Sequence, residues 1–207
     1  MEVIDIRVPR TSAEEALLDE MHRLRAKVFQ GRLGWDVECQ HGREFDQFDD
    51  CGPTYILVLD DRAGVVGSVR LLPTSGPNML MGVFRQLLED GHLATSPTTI
   101  ESSRFCVDTT TQSSQRGATH EATFCLLAGI IEWCLQNGWT DLVTATDLRM
   151  ERLLRQRGWP ITRLGKPRLI NETNSIAGRL VINTDTFDLL RPVSYRSRLS
   201  PTSRQAA

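Results

Sequence analysis

The stretch Thr99–Val107, which reads Thr-Ile-Glu-Ser-Ser-Arg-Phe-Cys-Val, is a run of strand-forming residues interrupted by a carboxylate, two hydroxyls and a guanidinium. Side chains alternate between the two faces of a strand. The pattern therefore predicts Glu101, Ser103 and Phe105 on one face of a sheet and Ser102 and Arg104 on the other. The same residues would also suit an edge strand with a surface ion pair, so the surrounding sequence has to separate the two interpretations.

Strand and helix patterns alternate on both sides of this stretch. Before it come strand patterns at Val3–Val8, Tyr55–Leu59 and Val65–Leu72, and a helix from about residue 12 to Gly31. After it come a long helix over roughly 119–137 and further short strands and helices. This order predicts an α/β fold, a three-layer α/β/α sandwich with a mixed, twisted sheet.

The chain of 207 residues fits one domain. We expect residues 1–190 to form it and residues 191–207, rich in Arg, Ser and Pro, to be a flexible tail. No window approaches 18 uncharged apolar residues, and the N-terminus lacks the basic and apolar regions of a signal peptide. We therefore expect a cytoplasmic protein that binds neither membrane nor nucleic acid. Five cysteines without a C-x-x-C pair predict no disulfide framework.

Periodicity is lost between residues 32 and 53, a stretch that is acidic and aromatic and too long for a simple connection. Its spacing of Asp46, Asp49 and Asp50 could also clamp magnesium on a pyrophosphate, but no second aspartate-rich motif accompanies it. Cys39 and His41 could be half of a zinc site, again without a second half. No G-x-G-x-x-G follows a strand, so a Rossmann-type methyltransferase is not indicated. We predict no metal and no bound cofactor.

The segment 147–168 is strongly basic, with seven Arg and Lys residues against Asp147 and Glu151. Such a patch can recruit an acidic partner, although a solvated helix face would look the same. The residues predicted to dock an acidic protein are Arg149, Arg152, Arg155, Lys166 and Arg168.

Several motifs together resemble the signature of the acyl-homoserine lactone synthases, the enzymes that make bacterial quorum-sensing autoinducers. They read Met21-His-Arg-Leu-Arg25-Ala-Lys-Val-Phe29, Gly34-Trp35, Glu44-Phe-Asp46-Gln-Phe-Asp49, Gly67-Ser-Val-Arg70 and Glu101-Ser-Ser103-Arg104-Phe105. The similarity runs from about residue 20 to residue 183. Residues 102–108 and 144–152 are similar to the tumour-plasmid branch of that family.

The resemblance implies a fold related to the Gcn5-type N-acetyltransferases and a reaction with two substrates. The amine of S-adenosylmethionine would attack the acyl thioester of an acyl carrier protein. The methionyl carboxylate would then close the lactone and release methylthioadenosine. Acyl-coenzyme A is the less expected donor, because Arg116-Gly117-Ala118 lacks the Q/R-x-x-G-x-G/A pattern that grips a pyrophosphate. Residues 108–118 occupy the place of a pantetheine-binding loop.

The resemblance also assigns residues to roles. An α-amine with a pKa of about 8 is mostly protonated at neutral pH, so a carboxylate must accept its proton, and Glu101 is the candidate. Glu101 could instead pair with Arg104. The sulfonium cation suits aromatic faces, although each aromatic residue could simply be core. The predicted catalytic residues are Glu101, Ser103, Arg104 and Asp46. The predicted S-adenosylmethionine-binding residues are Arg25, Phe29, Trp35, Asp46, Asp49, Arg70 and Phe105.

The acyl pocket is predicted to include Phe84, Thr144 and Thr146. In the family, a threonine at the position of Thr144 accompanies 3-oxo chains, so a medium-chain and 3-oxo product is expected; a plain strand threonine is the alternative. Two other functions remain open at this point. One is a Gcn5-type N-acetyltransferase that uses acetyl-coenzyme A, and the other is an inactive binder of small molecules or carrier protein.

Overall fold

The computed structural model describes residues 1–62, 64–109 and 116–200, with the backbone alone for residues 116–120. The strands are β1 (Glu2–Ile6), β2 (Cys39–Gln40), β3 (Arg43–Glu44), β4 (Thr54–Asp60), β5 (Gly64–Pro73), β6 (Thr99–Val107), β7 (Asp141–Asp147), β8 (Thr162–Arg163), β9 (Arg168–Ile170), β10 (Thr173–Val181) and β11 (Arg196–Arg198). The helices are α1 (Ser12–Ala26), α2 (Met79–Gly82), α3 (Arg116–Gln136), α4 (Leu148–Gln156) and α5 (Thr184–Leu190). A π-helical turn, Lys27–Arg32, extends α1, and β2 and β3 form a separate hairpin.

The main sheet has the strand order β11-β1-β4-β5-β6-β7-β10-β8, with β9 also paired to β10. The pairs β1–β11 and β6–β7 are parallel and the other pairs are antiparallel, so the sheet is mixed. Helix α1 packs on one face through Met21 and Leu24 against Tyr55 and Leu57. Helices α3, α4 and α5 contribute to the apolar cluster on the other face. The predicted three-layer α/β/α sandwich is confirmed.

Helix α3 lies very close to the sheet, and Gly129 makes this possible. A Cβ atom at Gly129 would lie 2.6 Å from a methyl carbon of Val3 and 3.2 Å from one of Ile56. The absence of a side chain lets the helix axis approach the strands, and the cluster around it is almost fully buried.

Part of the segment that we expected to be a flexible tail has regular structure. Residues 196–198 form β11, which pairs in parallel with β1, and the amide of Ser200 donates to Asp5 Oδ1 at 2.7 Å. The Tyr195 hydroxyl also donates to Glu132 on α3. The pairing joins the two ends of the chain, which no local pattern indicates. Residues 201–207 lie outside the described part of the chain.

Strands β6 and β7 position the candidate site because their pairing ends early. They pair from Thr99 opposite Asp141 to Ser102 opposite Thr144. Both strands then continue without pairing to each other, β6 to Val107 and β7 to Asp147. The sheet is therefore open between their C-terminal halves. Of the helices in the described ranges, none is long and apolar enough to cross a membrane.

Candidate active site

A cavity of about 850 Å³ lies at this opening and extends to both faces of the sheet. On the α1 face its wall is polar and aromatic, and we call this part the charged lobe. The charged lobe is lined by Trp35, Asp46, Phe48, Met79, Glu101, Ser103 and Arg104. On the α3 face we call it the apolar lobe, which is lined by Leu127, Ile130, Leu142, Thr144, Met150, Leu154, Trp159 and Leu180.

A β-bulge in β6 sets which side chains enter the charged lobe. Ser68 lies opposite Cys106 and Arg70 opposite Ser103, so β6 has one residue more than β5 between these pairs. Arg104 is the residue with positive φ, +55°. The extra residue turns Arg104 to the face of Glu101 and Ser103. The predicted alternation is therefore wrong beyond Ser103.

The same bulge moves Phe105 away from the place predicted for it. Phe105 packs against the apolar cluster that includes α3, on the opposite face from Glu101. It lines the cavity from that side. The prediction that Phe105 shares a face with Glu101 is wrong, because strict alternation holds only in a strand without a bulge.

Six charged side chains form a closed ring of ion pairs behind the charged lobe. In order around the ring they are Arg25, Glu44, Arg104, Asp46, Arg70 and Asp49. Each arginine pairs with the carboxylates on either side of it, at N–O distances of 2.5 to 2.9 Å. Three positive and three negative charges alternate, so the ring is neutral and each buried charge has two partners.

Only part of this ring can reach a substrate. Arg25 is fully buried, and its guanidinium nitrogens bond to Glu44 and to both oxygens of Asp49. Asp46 and Arg104 line the cavity, whereas Arg25, Asp49 and Arg70 lie behind its wall. The five ring residues predicted from the motifs are brought together, but the geometry makes three of them supports for the other two.

Burial and charge act in opposite directions on Asp49. Burial raises the pKa of its carboxyl, but hydrogen bonds and charge from Arg25, with the charge of Arg70, hold that pKa well below its usual range. The Tyr55 hydroxyl also donates to Asp49 Oδ1 at 2.7 Å. The pKa of Tyr55 is raised by its burial and by the Asp49 charge, so the phenol stays protonated as a donor.

Sequence reasoning missed Glu44, Met79 and Tyr55 as parts of this arrangement. Glu44 stands in the same acidic run as Asp46, but its role depends on the β2–β3 hairpin that buries it completely. The Met79 sulfur lies 3.6 Å from Nη2 of Arg70 and from Nη1 of Arg104. For Met79 no sequence signal marks the contact.

Glu101 is held by the first turn of α2. It is 1% exposed, and its two carboxylate oxygens accept hydrogen bonds from the backbone amides of Met79, at 3.0 Å, and Leu80. The Asn78 side chain caps this turn by accepting from the amide of Met81 at 3.0 Å. Burial raises the pKa of Glu101, and the two amide hydrogen bonds oppose the rise. Arg104 pairs with Glu44 and Asp46 rather than with Glu101.

The predicted aromatic pair lies at the charged lobe. The rings of Phe29 and Trp35 stack with centroids 5.1 Å apart and 21° between their planes. The π-helical turn allows this, since the amide of Trp35 bonds to the carbonyl of Phe29 at 2.9 Å. Phe29 is 2% exposed and has the Arg104 guanidinium 5.3 Å from its ring centroid. Trp35 is only partly buried and offers the more accessible surface.

The sheet divides the residues predicted for the acyl pocket. Thr144 and Thr146 alternate with Val143 and lie on the side of Leu142, in the apolar lobe. Phe84 lies across the sheet, where it packs against the cluster of Phe48, Leu72 and Met79. The Thr144 hydroxyl donates to the carbonyl of Ser102 at 2.9 Å, at the last pair of β6 and β7.

The five predicted docking residues are all exposed. Arg155 has a carboxylate neighbour, Glu151, at 3.4 Å, and Glu151 forms a closer pair with Arg163 at 2.7 Å. Of the loop predicted to bind pantetheine, residues 108–118, positions 110–115 lie outside the described part of the chain.

Comparison with known proteins identifies the family. The model of the autoinducer synthase family matches residues 10–190. The chain belongs to the autoinducer synthase family. The chain is 48% identical to the acyl-homoserine-lactone synthase of Agrobacterium fabrum over 95% of its own length and 94% of that protein. It is 49% identical to the acyl-homoserine-lactone synthase of Rhizobium radiobacter, over 89% of this chain and 87% of that protein. The family predicted from the motifs is confirmed, and the protein is an acyltransferase of quorum-sensing signal synthesis.

Solved structures of other proteins share the fold of this chain. The chain superposes on a CoA-dependent acyl-homoserine lactone synthase, determined with SAM and isopentyl-CoA, with a TM-score of 0.83 and 27% identity over 97% of this chain and 93% of that one. An acyl-CoA N-acyltransferase from Pseudomonas aeruginosa shares the fold at 13% identity, with a TM-score of 0.52 over 86% of this chain and 97% of that one. The predicted relation to the acetyltransferase fold is confirmed.

Proposed function

We propose that this protein makes an acyl-homoserine lactone from S-adenosylmethionine and an acyl group carried as a thioester on acyl carrier protein. The amine attacks the thioester carbonyl, an amide forms, and the carrier thiol leaves with the proton. The methionyl carboxylate then displaces methylthioadenosine from its own γ-carbon and closes the lactone. S-adenosylmethionine is consumed as a substrate, so the reaction needs no bound cofactor.

The two-lobed cavity is the observation that carries this proposal. A charged lobe with Asp46 and Trp35 suits a substrate with an ammonium and a sulfonium, since a carboxylate and an aromatic face both attract cations. An apolar lobe suits an acyl chain, whose transfer from water is favourable. The lobes meet where β6 and β7 separate, which is where the amine and the thioester have to meet.

Glu101 lies at this meeting point and is proposed as the base. Its burial raises its pKa, which strengthens a carboxylate as an acceptor of the ammonium proton. Each of its oxygens still has a lone pair beyond the amide hydrogen bond it accepts. Ser103 Oγ accepts from Arg70 Nε at 3.1 Å and keeps its own hydrogen for the substrate. The neighbour with SAM and isopentyl-CoA supports a site for both substrates in this fold.

Reconstitution with purified protein tests the proposal. We would supply S-adenosylmethionine with either acyl carrier protein or coenzyme A bearing the same acyl chain, and measure methylthioadenosine and product mass. We expect an acyl-homoserine lactone and an equal amount of methylthioadenosine, with the carrier protein as the better donor. A higher kcat/KM with acyl-coenzyme A would reject the carrier, and no methylthioadenosine with either donor would reject the reaction.

The basic patch gives a separate prediction about the donor. Reversing Arg149, Arg152 and Arg155 to Glu should raise the KM for acyl carrier protein by about tenfold, because a few exposed ion pairs together contribute on the order of 1.4 kcal/mol. The KM for S-adenosylmethionine should not change. Arg62→Glu, in the exposed turn between β4 and β5, is the matched control. Equal effects on both substrates would contradict docking.

We also propose a medium-chain product with a 3-oxo group, on the basis of Thr144. Its hydroxyl hydrogen points to the Ser102 carbonyl, so it must turn toward the ligand to bond a 3-oxo oxygen. Because one hydrogen bond contributes about 1 kcal/mol, Thr144→Val should lower the preference for 3-oxo over unsubstituted donors about fivefold. Competition between the two donors, read by mass spectrometry, measures this. An unchanged ratio would remove Thr144 from the specificity argument.

A further inference from the structure

We propose that Trp159 is the floor of the apolar lobe and sets the longest acyl chain that the enzyme accepts. This inference rests on the proposed function, which places the acyl chain in that lobe. Trp159 was not among the residues that the sequence motifs indicated. It is 2% exposed and lines the cavity.

The sheet register places Trp159 deep in the lobe. The residues of β7 on this side are Thr146, Thr144 and Leu142, in order from the opening downward. Strand β10 runs antiparallel to β7, with Val181 opposite Asp141. The Trp159 indole donates to the Val181 carbonyl at 2.8 Å. That carbonyl is three residues below Thr144, or about 10 Å at roughly 3.3 Å per residue.

Helix α4 gives the same order of depth independently. It begins after Asp147 at the open end of β7 and leads back along the lobe. Met150 and Leu154, one turn apart, line the wall, and the chain then turns at Gly158, where φ is +79°. Trp159 follows directly, so it lies beyond Leu154 when the lobe is entered from the opening.

The indole is held in place at the bottom of the lobe. Its hydrogen bond to Val181 fixes the ring, and its neighbours in the same cluster, Leu154 and Leu180, are 3% and 2% exposed. A fixed aromatic ring at this depth stops a chain sharply, because a close-packed wall does not yield by a methylene without cost. A smaller side chain leaves a void that an acyl chain can fill.

The experiment measures kcat/KM for a series of acyl-acyl carrier proteins whose acyl chains increase in length by two carbons at a time. Trp159→Phe and Trp159→Leu should move the maximum of kcat/KM to longer chains, with the larger shift for Leu. The matched control is Trp133→Leu, since Trp133 is 5% exposed in the same cluster but does not line the cavity. It should lower the melting temperature and leave the profile unchanged.

The outcomes separate this inference from the proposed function. Formation of an acyl-homoserine lactone by the unchanged enzyme tests the proposed function. The chain length at which kcat/KM is highest tests the role of Trp159. An unchanged profile in a folded Trp159→Leu protein would overturn the inference, as would an equal shift in Trp133→Leu. If the Leu variant does not fold, Trp159→Phe, which keeps an aromatic ring, decides in the same way.

Discussion

Replacing Glu101 with Gln is expected to lower kcat by about 10²- to 10⁴-fold, the usual contribution of a positioned general base. The substrate amine is largely protonated at neutral pH, and Gln cannot accept its proton. Affinity for S-adenosylmethionine should change little, because Asp46 and Trp35 are untouched. Single-turnover kinetics and calorimetric titration with S-adenosylmethionine measure the two quantities. A variant with nearly full activity would exclude Glu101 as the base.

The contact of Glu101 with α2 requires a control. In the Gln variant one amide of α2 faces an NH₂ group, so the helix could shift for reasons unrelated to proton transfer. Asn78→Ala removes the cap of the same helix and keeps the carboxylate. If α2 alone mattered, both variants would lose activity equally and keep their pH profiles.

The pH profile separates the two roles. Because burial raises the pKa of Glu101, activity should fall with acidification at a pH above the usual range of a carboxyl. This acid limb should persist in Asn78→Ala and disappear from the residual activity of Glu101→Gln. An acid limb that survives in Glu101→Gln would belong to another group.

Opening the ring of ion pairs is the second large effect. Arg25→Met is expected to lower the free energy of unfolding by about 3–5 kcal/mol, since it leaves three carboxylates against two arginines and takes from Glu44 and Asp49 one of the two arginines that each pairs with. Urea unfolding measures the loss. The control is Arg23→Ala, on the same helix, whose side chain is 58% exposed in its pair with Asp19. Its cost should stay below about 1 kcal/mol.

Lowering the pH should also weaken the ring of ion pairs and so lower the free energy of unfolding. The pKa of Asp49 in the folded protein is held below its value of about 4 in the unfolded chain. Its contribution to stability is therefore complete above about pH 4 and is lost as the pH falls below that value. Arg25→Met should weaken this dependence, because much of the downward shift comes from Arg25. An Arg25→Met protein that loses less than 1 kcal/mol would show that the ring is not a coupled unit.

The sequence predicted the layers of the fold, because the periodicity of a helix or strand is carried by a single segment. Alternation identified β6, and the family resemblance named Arg25, Asp49 and Arg70, which the fold brings together in one ring of ion pairs. The alternation argument failed within β6, however, where one extra residue turned Arg104 and Phe105 over. A bulge depends on the partner strand, so the residues of β6 alone do not reveal it.

The other differences are also long-range. Glu44 completes the ring only because the β2–β3 hairpin brings it beside Arg25, 19 positions earlier in the chain. Residues 196–198 form a strand because they pair with β1, which lies near the other end of the chain, so their own sequence does not predict it. The position of Trp159 at the bottom of the apolar lobe follows from the register of β10 against β7 and not from the sequence around Trp159.

The separation of the cavity into lobes on opposite faces of one sheet has a consequence for how signals diversify. If the apolar lobe holds the acyl chain, as proposed, substitutions on α4 or on the sheet-facing side of α3 change the space for that chain without contacting the ring of ion pairs on the other face. On that proposal, a lineage can change the acyl chain of its signal through substitutions on one face of the sheet, while the residues proposed to form the lactone stay the same on the other face.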